Sequence, residues 1–140
     1  MKFNQRIKRT VQRPDMWALL VSIIFQSLTT DAVYADESSI ELATQSYIKC
    51  VACHSLEEGK HGVGPSLHNL AGRKAGEVTG FKFSKALRTS GVVWNKESLD
   101  RYLLNPQKSI PRNRMAFGGL KNAEERQALV CHLLGKSACE

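Results

Sequence analysis

An all-α fold, built from helices joined by long loops, is what three features of this sequence predict. Capping residues followed by apolar residues three and four apart recur at Ser38, Asn95 and Asn122. No segment alternates apolar and polar residues over a useful strand length. After residue 54 come Gly59, Gly62, Gly64, Pro65, Gly72, Gly76 and Gly80. That density of chain breakers leaves a loop that must wrap around something other than its own regular structure. No internal repeat is present.

The first 35 residues read as a cleavable export signal and stand apart from the fold. Lys2, Arg6, Lys8, Arg9 and Arg13 precede an apolar run over residues 16–28, and Val33-Tyr34-Ala35 supplies a small-residue cleavage site. The run is shorter than the roughly 20 residues that cross a bilayer comfortably, so cleavage is expected over retention as a membrane tether. Residues 36–140 then make one small domain exported to an oxidising compartment, a bacterial periplasm.

Within that domain, Ser38 and Glu41 form a capping box, and Ile40, Ala43, Tyr47 and Val51 recur on one face of a first helix. A short amphipathic helix is expected over residues 84–89. Asn95 caps another that carries Leu99, Tyr102 and Leu103, and Asn105-Pro106 stops it. Asn122 with Glu125 caps the last helix, whose apolar face is Leu129, Val130, Leu133 and Leu134.

The end of the first helix carries the chemistry. Cys50-Val51-Ala52-Cys53-His54 has the spacing of a covalent haem site: two thiols one turn apart to join the porphyrin's vinyl groups, and an imidazole beside the second. A redox dithiol needs a strand upstream and a helix N-terminus, and neither is expected here. A zinc site needs further ligands; His61 and His68 are available but pair with no other Cys or His at finger spacing. A c-type haem is the stronger reading, and its apolar faces would fill a core otherwise thin for a domain of this size.

A low-spin iron needs a second axial ligand. Met115 lies 61 residues after His54 and is the only methionine outside the export segment. Its soft, neutral thioether favours ferrous iron and raises the potential relative to a second histidine.

With these residues in view, residues 45–134 resemble a class I cytochrome c of the mitochondrial and soluble bacterial type. The resemblance runs through CVACH, Gly64-Pro65-Ser66-Leu67-His68, Gly72-Arg73-Lys74-Ala75-Gly76, Gly91-Val92-Val93-Trp94, Tyr102-Leu103-Leu104-Asn105-Pro106, the Met115 segment and Glu125-Arg126-Gln127-Ala128-Leu129-Val130. It implies a small cytochrome c fold around one haem c joined to Cys50 and Cys53, with iron held by His54 and Met115. It implies that the Pro65 carbonyl fixes the His54 ring, that Arg73 and Trp94 meet the haem propionates, that Tyr102 sits beside the Met115 sulfur, and that Phe117 covers the haem edge.

The chain also departs from the family pattern. Phe83 stands where a tyrosine often reaches a propionate, and Asn113 where a threonine is common. Leu42 and Ser46 occupy the positions of the family's small residue and aromatic, while Ala43 and Tyr47 offer that pair one position later. Cys131 and Cys139 lie outside the haem motif. On one continuous helix their Cα atoms would stand about 12 Å apart, beyond disulfide reach, so a bond requires the helix to end at Gly135 and the tail to fold back. Both arrangements stay open at this level.

The whole chain carries a formal +7. Residues 36–140 hold 15 Lys and Arg against 11 Asp and Glu, a net +4 before any propionates. These charges are dispersed and accompany no nucleic-acid motif, so no nucleic-acid partner is expected. The resemblance implies an electron-transfer protein, not an enzyme: a monomeric one-electron shuttle that visits the membrane peripherally and transiently. Lys49, Lys108, Arg114 and Lys121 resemble the family's basic ring, suited to acidic docking faces of redox proteins such as a quinol–cytochrome c reductase and a terminal oxidase. A haem peroxidase is the rival reading, which a sixth ligand from Met115 opposes.

Overall fold

The computed structural model describes residues 30–135, 137 and 139, with side chains from residue 37 onward. The basic residues and apolar run of the expected export signal lie outside the described residues. The chain divides into two units, Met1–Ala35 and Asp36–Glu140.

Helices α1 (Thr30–Val51), α2 (Lys85–Arg88), α3 (Lys96–Leu104), α4 (Pro106–Ser109) and α5 (Ala123–Leu134) follow in order. Among the described residues the only β pairing is one isolated bridge, Lys74 with Val93. The all-α class expected from the sequence is the class observed.

Helix α1 starts earlier than its capping box suggested. Thr30 to Glu37 contain neither glycine nor proline, so nothing stops the helix from running through Ser38. Its inward face matches the expected one only in part, keeping Ala43 and a half-buried Tyr47. Ala43, Ser46 and Cys50 are buried, whereas Ile40 and Val51 are 47% and 52% exposed. Cys50 must face the core, and the residues four and seven positions before it then face inward with it. The Ser46 hydroxyl lies fully buried with no hydrogen-bond partner among the described residues, a local cost of about 1–3 kcal/mol.

Ser84 caps α2 through a bond from Leu87 N to its hydroxyl. Asn95 and Ser98 cap α3 reciprocally: Ser98 N donates to Asn95 Oδ1 at 2.8 Å and Asn95 N to Ser98 Oγ at 2.9 Å. Asn105-Pro106 ends α3 as expected, and the same pair opens α4, with Asn105 Oδ1 accepting from Lys108 N at 3.0 Å. Asn122 caps α5 by accepting from Glu124 N and Glu125 N.

Leu99, Tyr102 and Leu103 of α3 and Leu129, Val130, Leu133 and Leu134 of α5 form the centre of the core. Arg126 of α5 is buried among them, 8% exposed. Its Nε donates to Asp100 Oδ1 of α3 at 2.7 Å, and Nη1 donates to Leu120 O at 3.0 Å and Lys121 O at 3.3 Å. One side chain thus joins α3, α5 and the loop between α4 and α5.

The first and last helices meet at Tyr47, one member of the shifted pair, and at Lys49. Tyr47 packs its ring on His132 with centroids 5.4 Å apart, and Lys49 Nζ lies 2.9 Å from Glu125 Oε2. At the other end of α5, Gly135 leaves the helix at φ +89 and a disulfide joins Cys131 to Cys139 across a Cα separation of 5.7 Å. The open choice over these cysteines therefore resolves in favour of the folded-back tail.

Candidate functional site

The Cys50–His54 segment is one closed turn at the end of α1. Cys53 N and His54 N both donate to Cys50 O, at 3.0 and 2.9 Å. This extra turn sets both cysteines and the histidine on consecutive positions of a single rigid unit. Cys50 and Cys53 are free thiols although they stand one turn apart, while the more distant cysteines have paired. Burial pushes the Cys50 thiol up, Cys53 adds to that, and Lys49 opposes it. A redox dithiol needs the opposite, a thiol made acidic at a helix N-terminus; Cys50 sits at a C-terminus, where the helix dipole also disfavours a thiolate.

The His54 ring is oriented by the glycine-rich loop. Its Nδ1 lies 2.7 Å from Pro65 O. A carbonyl can only accept, so Nδ1 carries the proton and Nε2 keeps its lone pair free for a metal. Gly64 packs directly against the ring: a Cβ there would fall 2.7 Å from both ring nitrogens. Gly64 N in turn donates to Cys53 O at 2.8 Å, so the loop is pinned back onto the turn it serves.

Of the other loop histidines, His61 is fully committed elsewhere. His61 Nε2 donates to Thr79 O at 2.9 Å and its Nδ1 accepts from Ser66 N at 3.0 Å, leaving no free ring nitrogen. His68 Nδ1 donates to Leu56 O at 3.3 Å. Among the described residues no cluster of three or more His, Cys, Asp or Glu side chains is arranged for a metal ion. The zinc reading loses His61, and His68 stands in no such cluster.

Arg73 and Trp94 are brought together by backbone pairing: Trp94 N donates to Arg73 O at 2.9 Å and Gly72 N to Trp94 O at 2.8 Å. Arg73 donates to His68 O at 2.7 Å and Ser66 O at 3.1 Å, and no carboxylate of the described residues pairs with it. Burial lowers its pKa from the ordinary value. The Trp94 side chain is buried, its ring 5.0 Å from that of Tyr102, and its indole N–H has no hydrogen-bond partner among the described residues. A half-buried cation and an unclaimed donor on paired backbone segments suit an anionic group. Phe83, in place of the family's tyrosine, is buried edge-on against Phe81 at 4.9 Å and offers no polar contact.

Burial pushes the Tyr102 phenol up to about 12, so it stays a neutral donor at any ordinary pH. Its hydroxyl lies 3.4 Å from Asn113 Oδ1, which accepts from Met115 N at 2.8 Å. Tyr102 therefore reaches the Met115 backbone through Asn113, a link that the sequence flagged only as a departure from threonine. Met115 and Phe117 are half-buried and pack against the same core cluster that contains Cys50, Trp94 and Tyr102. These residues fit a covalent haem: two free thiols, an imidazole with a fixed proton, a thioether from a distant loop, and unclaimed donors for carboxylates.

Of the four basic-ring residues, Lys49 pairs with Glu125, Lys121 Nζ donates to Leu104 O at 2.7 Å, and Arg114 donates to Lys82 O. Lys108 is exposed with no side-chain partner among the described residues. No helix of the described residues is long and apolar enough to cross a membrane.

No protein-family model matches the chain. It is 47% identical over 91 residues to cytochrome c2 iso-2 of Magnetospirillum molischianum, spanning 65% of this chain and 94% of that protein. It is 45% identical over 86 residues to a cytochrome c of Gibberella zeae, spanning 61% of this chain and 81% of the relative. Among solved structures, cytochrome cH from Methylobacterium extorquens superposes with a TM-score of 0.63 at 34% identity, over 66% of this chain and 94% of that one. With bacterial and eukaryotic relatives agreeing in sequence and a solved relative agreeing in fold, the chain belongs to the class I c-type cytochromes, electron-transfer proteins that carry covalently bound haem.

Proposed function

We propose that this cytochrome is a one-electron shuttle holding a single haem c, joined to Cys50 and Cys53 and ligated by His54 and Met115. When bound, the haem supplies a ferric/ferrous couple. The chain's residues do the rest. Pro65 O keeps the proton on His54 Nδ1 and so presents Nε2 as the ligand. Met115 contributes its thioether from a loop packed on the core, Arg73 and Trp94 offer donors to the propionates, and Phe117 shields the exposed edge. One electron enters from a reduced donor and one leaves to an oxidised acceptor, with no bond made or broken and both ligands retained. The observation that carries this reading is the His54 ring, held with Nε2 free directly beside two unpaired thiols.

The export segment and its cleavage after Ala35 make the mature protein a periplasmic monomer in this proposal, working between a quinol–cytochrome c reductase and a terminal oxidase. Their acidic faces are met by the basic ring, in which Lys108 has no competing side-chain partner among the described residues. Lys108→Glu is expected to slow oxidation of the reduced holoprotein by an acidic terminal oxidase several-fold at low salt. The variant's rate should also depend less steeply on ionic strength. An unchanged rate and salt slope in stopped-flow oxidation would remove the docking claim; failure of either complex to exchange electrons with the wild type would remove the shuttle.

A further inference from the structure

Asn113 has every polar side-chain atom committed, and its bonds converge on the loop that carries Met115. It is 6% exposed. Its Nδ2 donates to Pro106 O and to Ile110 O, both at 2.8 Å, which fastens it to the beginning and the end of α4. Its Oδ1 accepts from Met115 N at 2.8 Å and lies within reach of the Tyr102 hydroxyl at 3.4 Å. Gln107 reinforces the link by donating to Asn113 O at 3.2 Å and Met115 O at 3.3 Å.

The backbone just before Asn113 pulls the other way. Residues 110–113 form a turn closed by Asn113 N donating to Ile110 O at 3.2 Å, with Pro111 second and Arg112 third at φ +65. A turn with proline second and a left-handed third residue favours glycine there, and arginine holds that conformation against its preference. The loop thus contains a strained residue and, next to it, a side chain whose bonds restrain the segment.

We infer that Asn113 is the positioning residue for Met115. Its bonds hold the ligand loop closed against the strained Arg112 turn, and their strength sets how often the sulfur leaves the metal. The proposal rests on the reading of Met115 as axial ligand. It goes further by giving that ligand's retention to a residue that the family pattern fills differently.

The test is imidazole binding to the ferric holoprotein, because an external ligand enters only when the sulfur is displaced and its apparent affinity scales with the open fraction. Asn113→Leu is expected to bind imidazole about tenfold more tightly than wild type, the worth of roughly one net hydrogen bond. Asn113→Thr, which keeps an acceptor, should fall nearer wild type. Arg112→Gly should bind imidazole several-fold more weakly, because the closed turn is no longer opposed. Equal affinity in Asn113→Leu and wild type overturns the proposal. Should that variant yield no holoprotein, an unchanged affinity in Arg112→Gly overturns it instead. Met115→Ala separates the two readings: it should bind imidazole most tightly of all, and a wild-type affinity there means that Met115 is no ligand.

Discussion

Gly64→Ala is expected to displace the His54 ring and to prevent assembly of a normal low-spin holoprotein. The new Cβ would stand 2.7 Å from both ring nitrogens, closer than real side chains approach. The backbone cannot retreat easily, because Gly64 N is bonded to Cys53 O and Gly64 O accepts from Gly62 N at 2.9 Å. The ring must therefore swing away from Pro65 O and lose the bond that fixes its proton. Overpacking and the lost bond together amount to about 2–5 kcal/mol, a large share of the 5–15 kcal/mol that typically holds a domain. The yield of covalently haem-bearing protein, its visible spectrum and its guanidinium midpoint are the measurements. A wild-type spectrum and midpoint would show that the ring is not confined as described.

Arg126→Leu should be comparably damaging although Arg126 is not among the proposed site residues. It leaves Asp100 and the Leu120 and Lys121 carbonyls without their shared donor, which joins α3, α5 and the loop between α4 and α5. Removing one partner of a buried pair costs about 3–5 kcal/mol. Asp100 is 31% exposed here and keeps part of its hydration, so about 3 kcal/mol is expected. At roughly 4–8 °C per kcal/mol for a domain of this size, the melting temperature of the holoprotein should drop by about 15 °C. Calorimetry of the ferric and ferrous forms checks this; a drop of only a few degrees would mean that the network is redundant.

Most of the candidate site could be named from the sequence, because haem chemistry restricts the residue types that could serve. Free thiols, imidazole and thioether have few substitutes, and CVACH with the ordered blocks after it announces them within the sequence itself. Helix starts at Asn95 and Asn122 were legible for a similar reason, since a short side-chain acceptor at a cap is a local event. The inward face of α1 was legible only in part. Apolar spacing selected Ala43 and Tyr47 correctly but also Ile40 and Val51, whereas the tertiary demand to bury Cys50 brought in Ser46. The roles of Asn113 and Arg126 were also hidden, because they depend on partners up to 26 residues away that only the folded chain brings near. For the disulfide, sequence supplied the geometric condition, and the turn at Gly135 met it.

The ferric near-infrared spectrum of the purified holoprotein, recorded for wild type and Met115→Ala, bears most directly on the ligand pair. The weak band of a methionine sulfur–iron bond should be present in the wild type and absent from the variant, which should turn high-spin. A wild type that lacks the band, or a variant that keeps it, would contradict the assignment of His54 and Met115 as the two axial ligands.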